Sequence, residues 1–171
     1  FAQFAGGGAA PLAAIELGKG NRERAARYLG NSVSAMAFFS VTLTIIMYIF
    51  MEPLLRLTGA SDVTMKYAVS YFSIYLTGTF FVMVSIGLNS FINAQGRPQV
   101  SMLATLIGAV INIILDPVFI FIFKMGVAGA AIATVISQAV SAIWILHFLI
   151  SGSATLRISR NCLKPDREII K

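Results

Sequence analysis

Along the chain, apolar runs of roughly twenty residues alternate with short polar stretches, and that is the length a helix needs to cross a bilayer. Residues 1–17 are small and apolar, broken by Gly6-Gly7-Gly8 and Pro11, and read as the last turns of a helix. Four longer runs follow, and the pattern predicts complete helical spans near 31–50, 67–91, 99–123 and 127–150. Between them lie GKGNRERAARYLG at 18–30, a polar link at 60–66, the turn NAQGR at 93–97, and Lys124-Met125-Gly126. Asn21 is placed to cap a helix, with Glu23 in its first turn beside the positive end of the dipole. Pro98 suits the first position of the next helix. Glu52-Pro53 marks the end of the first complete span, which runs out near Gly59.

Composition agrees. The 171 residues are 57% hydrophobic and 12% charged, against about 25% charged in a soluble domain. The chain therefore reads as an all-α integral membrane protein, with four complete transmembrane helices and the end of a preceding one in residues 1–150. Residues 151–171 form a polar, basic tail. The net charge of +6 could suggest nucleic acid, but the basic residues sit between apolar spans and fit orientation in a membrane better. Alternating the loops puts ten lysines and arginines on one side: Lys19, Arg22, Arg24, Arg27, Arg97, and Arg157, Arg160, Lys164, Arg167 and Lys171 in the tail. Only Arg56, Lys66 and Lys124 fall on the other. This asymmetry predicts that 18–30, 93–98 and 151–171 are cytoplasmic and that the 99–123 span runs outward. One cysteine, Cys162, and one histidine, His147, leave no internal disulfide and no multi-histidine metal centre. No nucleophile–base pair or phosphate loop is visible, so neither an enzyme nor a cofactor is expected. The start at Phe1 and the charged end at 165–171 look like cuts in a longer protein.

The chemistry concentrates in the 99–123 span. Asn112 and Asp116 lie four residues apart, on one helical face, and Pro117 follows at once. An ionisable group at membrane depth is costly and marks a functional site by default. The proline's missing N–H and its ring are expected to loosen the turn around this pair and free carbonyls. A tight hairpin about Met125 pairs residues equidistant from it: Asp116 with Thr134, and Asn112 with Gln138. At 1.5 Å per residue, Asp116 would lie roughly 10–14 Å from the outer end of the hairpin. Ala104 and Gly108 precede Asn112 at four-residue steps, and Gly126, Gly129, Ala130, Ala133, Ser137 and Ser141 line the return helix, so backbones can approach closely. Asp116, the Asn112 amide, the Thr134 hydroxyl and a freed carbonyl could hold a hard cation such as sodium. Desolvation favours the neutral form of a carboxyl group, so the same face could carry a proton instead. Another reading makes Asn112, Asp116, Thr134 and Gln138 hydrogen-bonding glue between helices. A polar stripe, Ser70, Ser73, Thr77, Ser85 and Asn89, could line a cavity or face another helix.

GKGNRERA, NAQGRP, NIILDPVFIF and MGVAGAAIATVISQ together resemble the MATE family of multidrug and toxic-compound extrusion transporters, along almost the whole chain. The resemblance implies part of the six-helix N-terminal lobe, from the end of its second helix through its sixth, with 151–171 leading toward a C-terminal lobe. It implies a secondary antiporter in the plasma membrane that exports cationic or amphipathic compounds against Na+ or H+ by alternating access. It implies a cation site at Asn112, Asp116 and Thr134, joined by the Ala130 carbonyl. From the polar stripe and the hairpin pairing, Gln138, Asn89 and Thr77 are assigned to a substrate cavity. Glu16 departs from the family pattern. Rival readings are a lipid-linked oligosaccharide flippase of a related superfamily and a structural membrane subunit.

Overall fold

The computed structural model describes residues 2–151 and 154–156. They form a helical bundle: α1 (Ala2–Gly7), α2 (Ala9–Gly18), α3 (Arg22–Ile49), α4 (Met51–Leu57), α5 (Asp62–Thr77), α6 (Thr79–Ala94), α7 (Pro98–Pro117), a π-helical turn (Val118–Ile122) and α8 (Gly126–Ile150). Among the described residues three helices are apolar and long enough to cross a membrane (α3, α7 with its π turn, and α8), and the bent pair α5–α6 makes a fourth when taken as one span. This matches the four expected spans. α1 and α2 stand where the tail of an earlier helix was expected.

The boundaries differ where local chemistry outweighs hydropathy. α3 begins nine residues before the expected span, because the Asn21 side chain accepts the Arg24 N–H at 3.3 Å and caps it. Most of the expected polar connection is thus helix. The end of the first span is a separate short helix, α4, ahead of a turn at Gly59, where φ is +95°. α5 starts within the expected link, because Ser61 and Thr64 exchange side-chain-to-backbone hydrogen bonds in a capping box.

The span expected at 67–91 is broken: α5 and α6 meet at Gly78 with a 55° bend. Gly78 is buried, and a Cβ there would stand 2.7 Å from a Val135 methyl. The Leu76 carbonyl at the bend accepts the Thr79 hydroxyl at 2.8 Å and the Thr44 hydroxyl at 3.4 Å. A kink in a span is tolerated when hydroxyls satisfy the backbone it frees.

The core lies toward the end of the bundle that carries the α2–α3 and α6–α7 turns. Leu29 and Met36 of α3, Leu88 and Phe91 of α6, and Ile145 and Leu149 of α8 are buried there together. α7 contributes little to this core, and its Met102, Leu106, Val110 and Ile113 are exposed for lipid to solvate. Leu156 packs into the same core, and its backbone N–H donates to Gln95 Oε1 at 2.9 Å. Within the polar, basic tail, Ala154 and Leu156 are thus buried against the bundle. Cys162 and the basic residues from Arg157 onward lie outside the described residues. Gln95→Ala is expected to leave the Leu156 amide unpaired, a loss of about 1 kcal/mol. Amide exchange at Leu156 should accelerate roughly fivefold, with exchange in α8 unchanged.

Candidate functional site

α7 and α8 form the hairpin that the sequence predicts. Its turn is tight: Lys124 (φ 55°) and Gly126 (φ 57°) both adopt left-handed backbone, which Gly126 does at no steric cost. Asn112 Nδ2 donates to Asp116 Oδ1 at 3.3 Å, so the amide and the carboxylate share one helical face and touch. The expected loosening at Pro117 falls one turn later than anticipated. The turn carrying Asn112 and Asp116 stays α-helical, and the widened π turn spans Val118–Ile122, closing with Phe123 N–H to the Val118 carbonyl at 3.0 Å. The reason is local: Pro117 has no N–H to donate four residues back, and Val118 N–H bonds only as far back as Leu115. π turns of this kind recur at functional sites.

On α8, the Thr134 hydroxyl donates to the Ala130 carbonyl at 2.9 Å, so the two groups expected to join the site on this helix are bonded to each other. Among the described residues, no hydrogen bond links Asp116 to Thr134 or Asn112 to Gln138. Beside these residues lies a cavity of about 260 Å³, lined by α6 (Ser85, Ile86, Asn89), α7 (Thr105, Gly108, Ala109, Asn112) and α8 (Thr134, Ser137, Gln138, Ser141). Its volume suits an ion with several waters, or part of a larger molecule.

Of the residues assigned to a substrate cavity, Gln138 and Asn89 line this space. Thr77 does not: it is exposed, and its hydroxyl bonds to the Ile74 carbonyl at 2.6 Å. The break at Gly78 divides the polar stripe. Ser85 and Asn89 below it reach the cavity, whereas the Ser73 carbonyl above it accepts the Tyr48 hydroxyl at 2.7 Å. Asp116 does not line the cavity itself and connects to it through Asn112. Asn89 Nδ2 donates to the Thr105 hydroxyl at 3.3 Å, while its buried Oδ1 has no partner among the described residues, leaving an unmet acceptor in the wall. Thr105 was missed by the sequence reading. Its signal was a hydroxyl one residue after Ala104 on an otherwise apolar turn. Glu16, which had no role, pairs with Lys19 Nζ at 2.9 Å, and its side chain is only 11% exposed. No group of three or more His, Cys, Asp or Glu that could hold a metal occurs among the described residues.

The MatE family model matches residues 1–118. The chain belongs to the MatE family. It is 31% identical over 121 residues to the multidrug export protein MepA of Staphylococcus aureus strain NCTC 8325, and 32% identical over 129 residues to MepA of Staphylococcus saprophyticus. These alignments cover 71% and 75% of this chain but 27% and 29% of the relatives, so the chain spans less than a third of their length. Solved structures agree. An inward-facing multidrug resistance MATE family transporter of the MOP superfamily superposes with a TM-score of 0.93 at 30% identity, over 99% of this chain and 39% of that one. An outward-facing structure of such a transporter superposes at 0.91, again at 30% identity, over 99% of this chain and 38% of that one. Membership makes this chain part of a multi-pass membrane transporter family.

Proposed function

We propose that this chain is part of the N-terminal lobe of a plasma-membrane antiporter. In this reading the protein exports cationic or amphipathic compounds in exchange for Na+ or H+, and Asp116 is the centre of the cation site. The observation that carries it is the Asn112–Asp116 pair, a carboxylate held within an apolar span beside a polar cavity and immediately before a break in helical geometry. Asp116 supplies the charge. Asn112, Thr134 and the Ala130 carbonyl supply neutral oxygens once the Thr134 hydroxyl turns away from its helix. Sodium and proton both suit a carboxylate in this setting: one fills the space between α7 and α8 with a ligated ion, the other neutralises Asp116. Either changes the charge of the site and so biases a two-state transporter. Gln138 and Asn89 would meet the polar part of a substrate, with the exposed apolar faces in lipid and the basic turns at the cytoplasmic side. The remaining lobe of the protein completes the translocation path.

The coupling ion is tested in everted vesicles that carry a transporter-length protein containing this chain. Efflux of a fluorescent cation is followed under an imposed sodium gradient and, separately, an imposed proton gradient. One gradient is expected to drive efflux at least tenfold above the ungraded control. Absence of export under both would sink the antiporter reading and favour a flippase of the related superfamily.

A further inference from the structure

We propose that Gly108 and Gly129 are positioning residues for the cation site. Two close approaches, one on either side of the site residues, set how far the Asn112–Asp116 face stands from Thr134 and Ala130. The inference rests on the cation-site reading above.

At one approach, a Cβ on Gly108 would overlap the Ser141 hydroxyl. That buried hydroxyl sits in the notch that glycine leaves and donates to the Ala104 carbonyl at 3.0 Å, a direct tie between α8 and α7. At the other, a Cβ on Gly129 would come within 2.9 Å of the carbonyl carbon and oxygen of Phe119, in the π turn. Met125 N–H donates to that same carbonyl at 3.1 Å, so the π turn is held where it lies against α8. Gly108 precedes Asn112 by one turn, and Phe119 follows Asp116 by three residues. On the facing helix, Ser141 and Gly129 enclose Thr134 and Ala130. All four proposed ligands therefore lie between the two approaches.

Lipid tails give no solvent-driven force to press α7 against α8, so these contacts and the Ser141 tie set the spacing. A site whose ligands come from two helices is sensitive to shifts of about 1 Å or less. The two approaches differ in stiffness. Ser141 can rotate its hydroxyl away from a new methyl, giving up its hydrogen bond, whereas the Phe119 backbone must move bodily.

The test uses a transporter-length protein in proteoliposomes, measuring maximal efflux rate, the coupling-ion concentration at half-maximal rate, and thermal melting. Gly129→Ala is expected to raise the half-saturating ion concentration at least tenfold with its maximal rate within twofold of wild type, and Gly108→Ala to raise that concentration about fivefold. Gly18→Ala, where a Cβ meets open space, should change nothing. Adding Ser141→Gly to Gly108→Ala makes room for the methyl but leaves the Ala104 tie broken, so ion affinity should recover only in part. If Gly129→Ala fails to accumulate, the Gly108 pair decides. Lowered melting temperatures with unmoved ion affinity would reduce both glycines to packing and overturn the proposal. Asp116→Asn is run alongside. Wild-type ion dependence in that variant would remove the cation site itself, whereas Asp116-dependent transport with unmoved glycine variants would overturn only the positioning role.

Discussion

Asp116→Asn is expected to cut gradient-driven efflux by at least about 100-fold, equivalent to roughly 2.7 kcal/mol, at unchanged protein abundance. The substitution preserves shape, and the new amide can still bond to Asn112. What disappears is the negative charge beside Asn112, and with it the ability to attract a sodium ion or exchange a proton. The neighbouring neutral groups matter less. Thr134→Ala and Asn112→Ala each remove one neutral oxygen, and a neutral hydrogen-bonding group contributes about 0.5–1.5 kcal/mol. Each should therefore slow efflux by roughly two- to tenfold. The order of effects discriminates between readings. If Asp116 were glue between helices, Asp116→Asn would lower the melting temperature and leave efflux intact, because a neutral amide makes weaker hydrogen bonds than a carboxylate but carries no less of any transport role.

How much of this was legible in the sequence follows from which forces are local. Spans were readable because a bilayer demands a helix-length apolar run whatever its neighbours do. Asp116 and Asn112 were readable because a carboxylate is conspicuous in such a run and a four-residue spacing fixes a common face. The capped start of α3 was half-legible: Asn21 was identified as a cap, yet the polar turn after it was still read as connection. The bend at Gly78 was not legible. Glycine is common in membrane helices, and this bend depends on Val135 and on the Thr44 hydroxyl, both remote in the chain. Burial of Leu156 was hidden for the same reason: its partner, Gln95, is 61 residues away. The hairpin argument paired Thr134 with Asp116 but could not show that each would bond within its own helix, to Ala130 and to Asn112.

The chain superposes on both an inward-facing and an outward-facing transporter, at TM-scores of 0.93 and 0.91. Such a bundle needs a core, and the phenylalanines distinguish core from lipid surface. Phe91 is the largest fully buried side chain, set among the α3, α6 and α8 residues at the basic end, whereas Phe121 on the π turn is 73% exposed. Composition treats the two alike, and only the packing separates them. Burying a phenyl ring gains little over leaving it in lipid, so the cost of Phe91→Ala comes mainly from the cavity and the lost dispersion contacts. Buried Phe→Ala changes in water-soluble proteins cost about 3–5 kcal/mol, and the low end of that range, about 3 kcal/mol, is expected here. Phe121→Ala leaves no cavity and should stay within about 0.5 kcal/mol of wild type. Unfolding of both variants in detergent micelles, by denaturant titration, measures the difference. Equal destabilisation would mean that the buried cluster around Phe91 does not hold the bundle together.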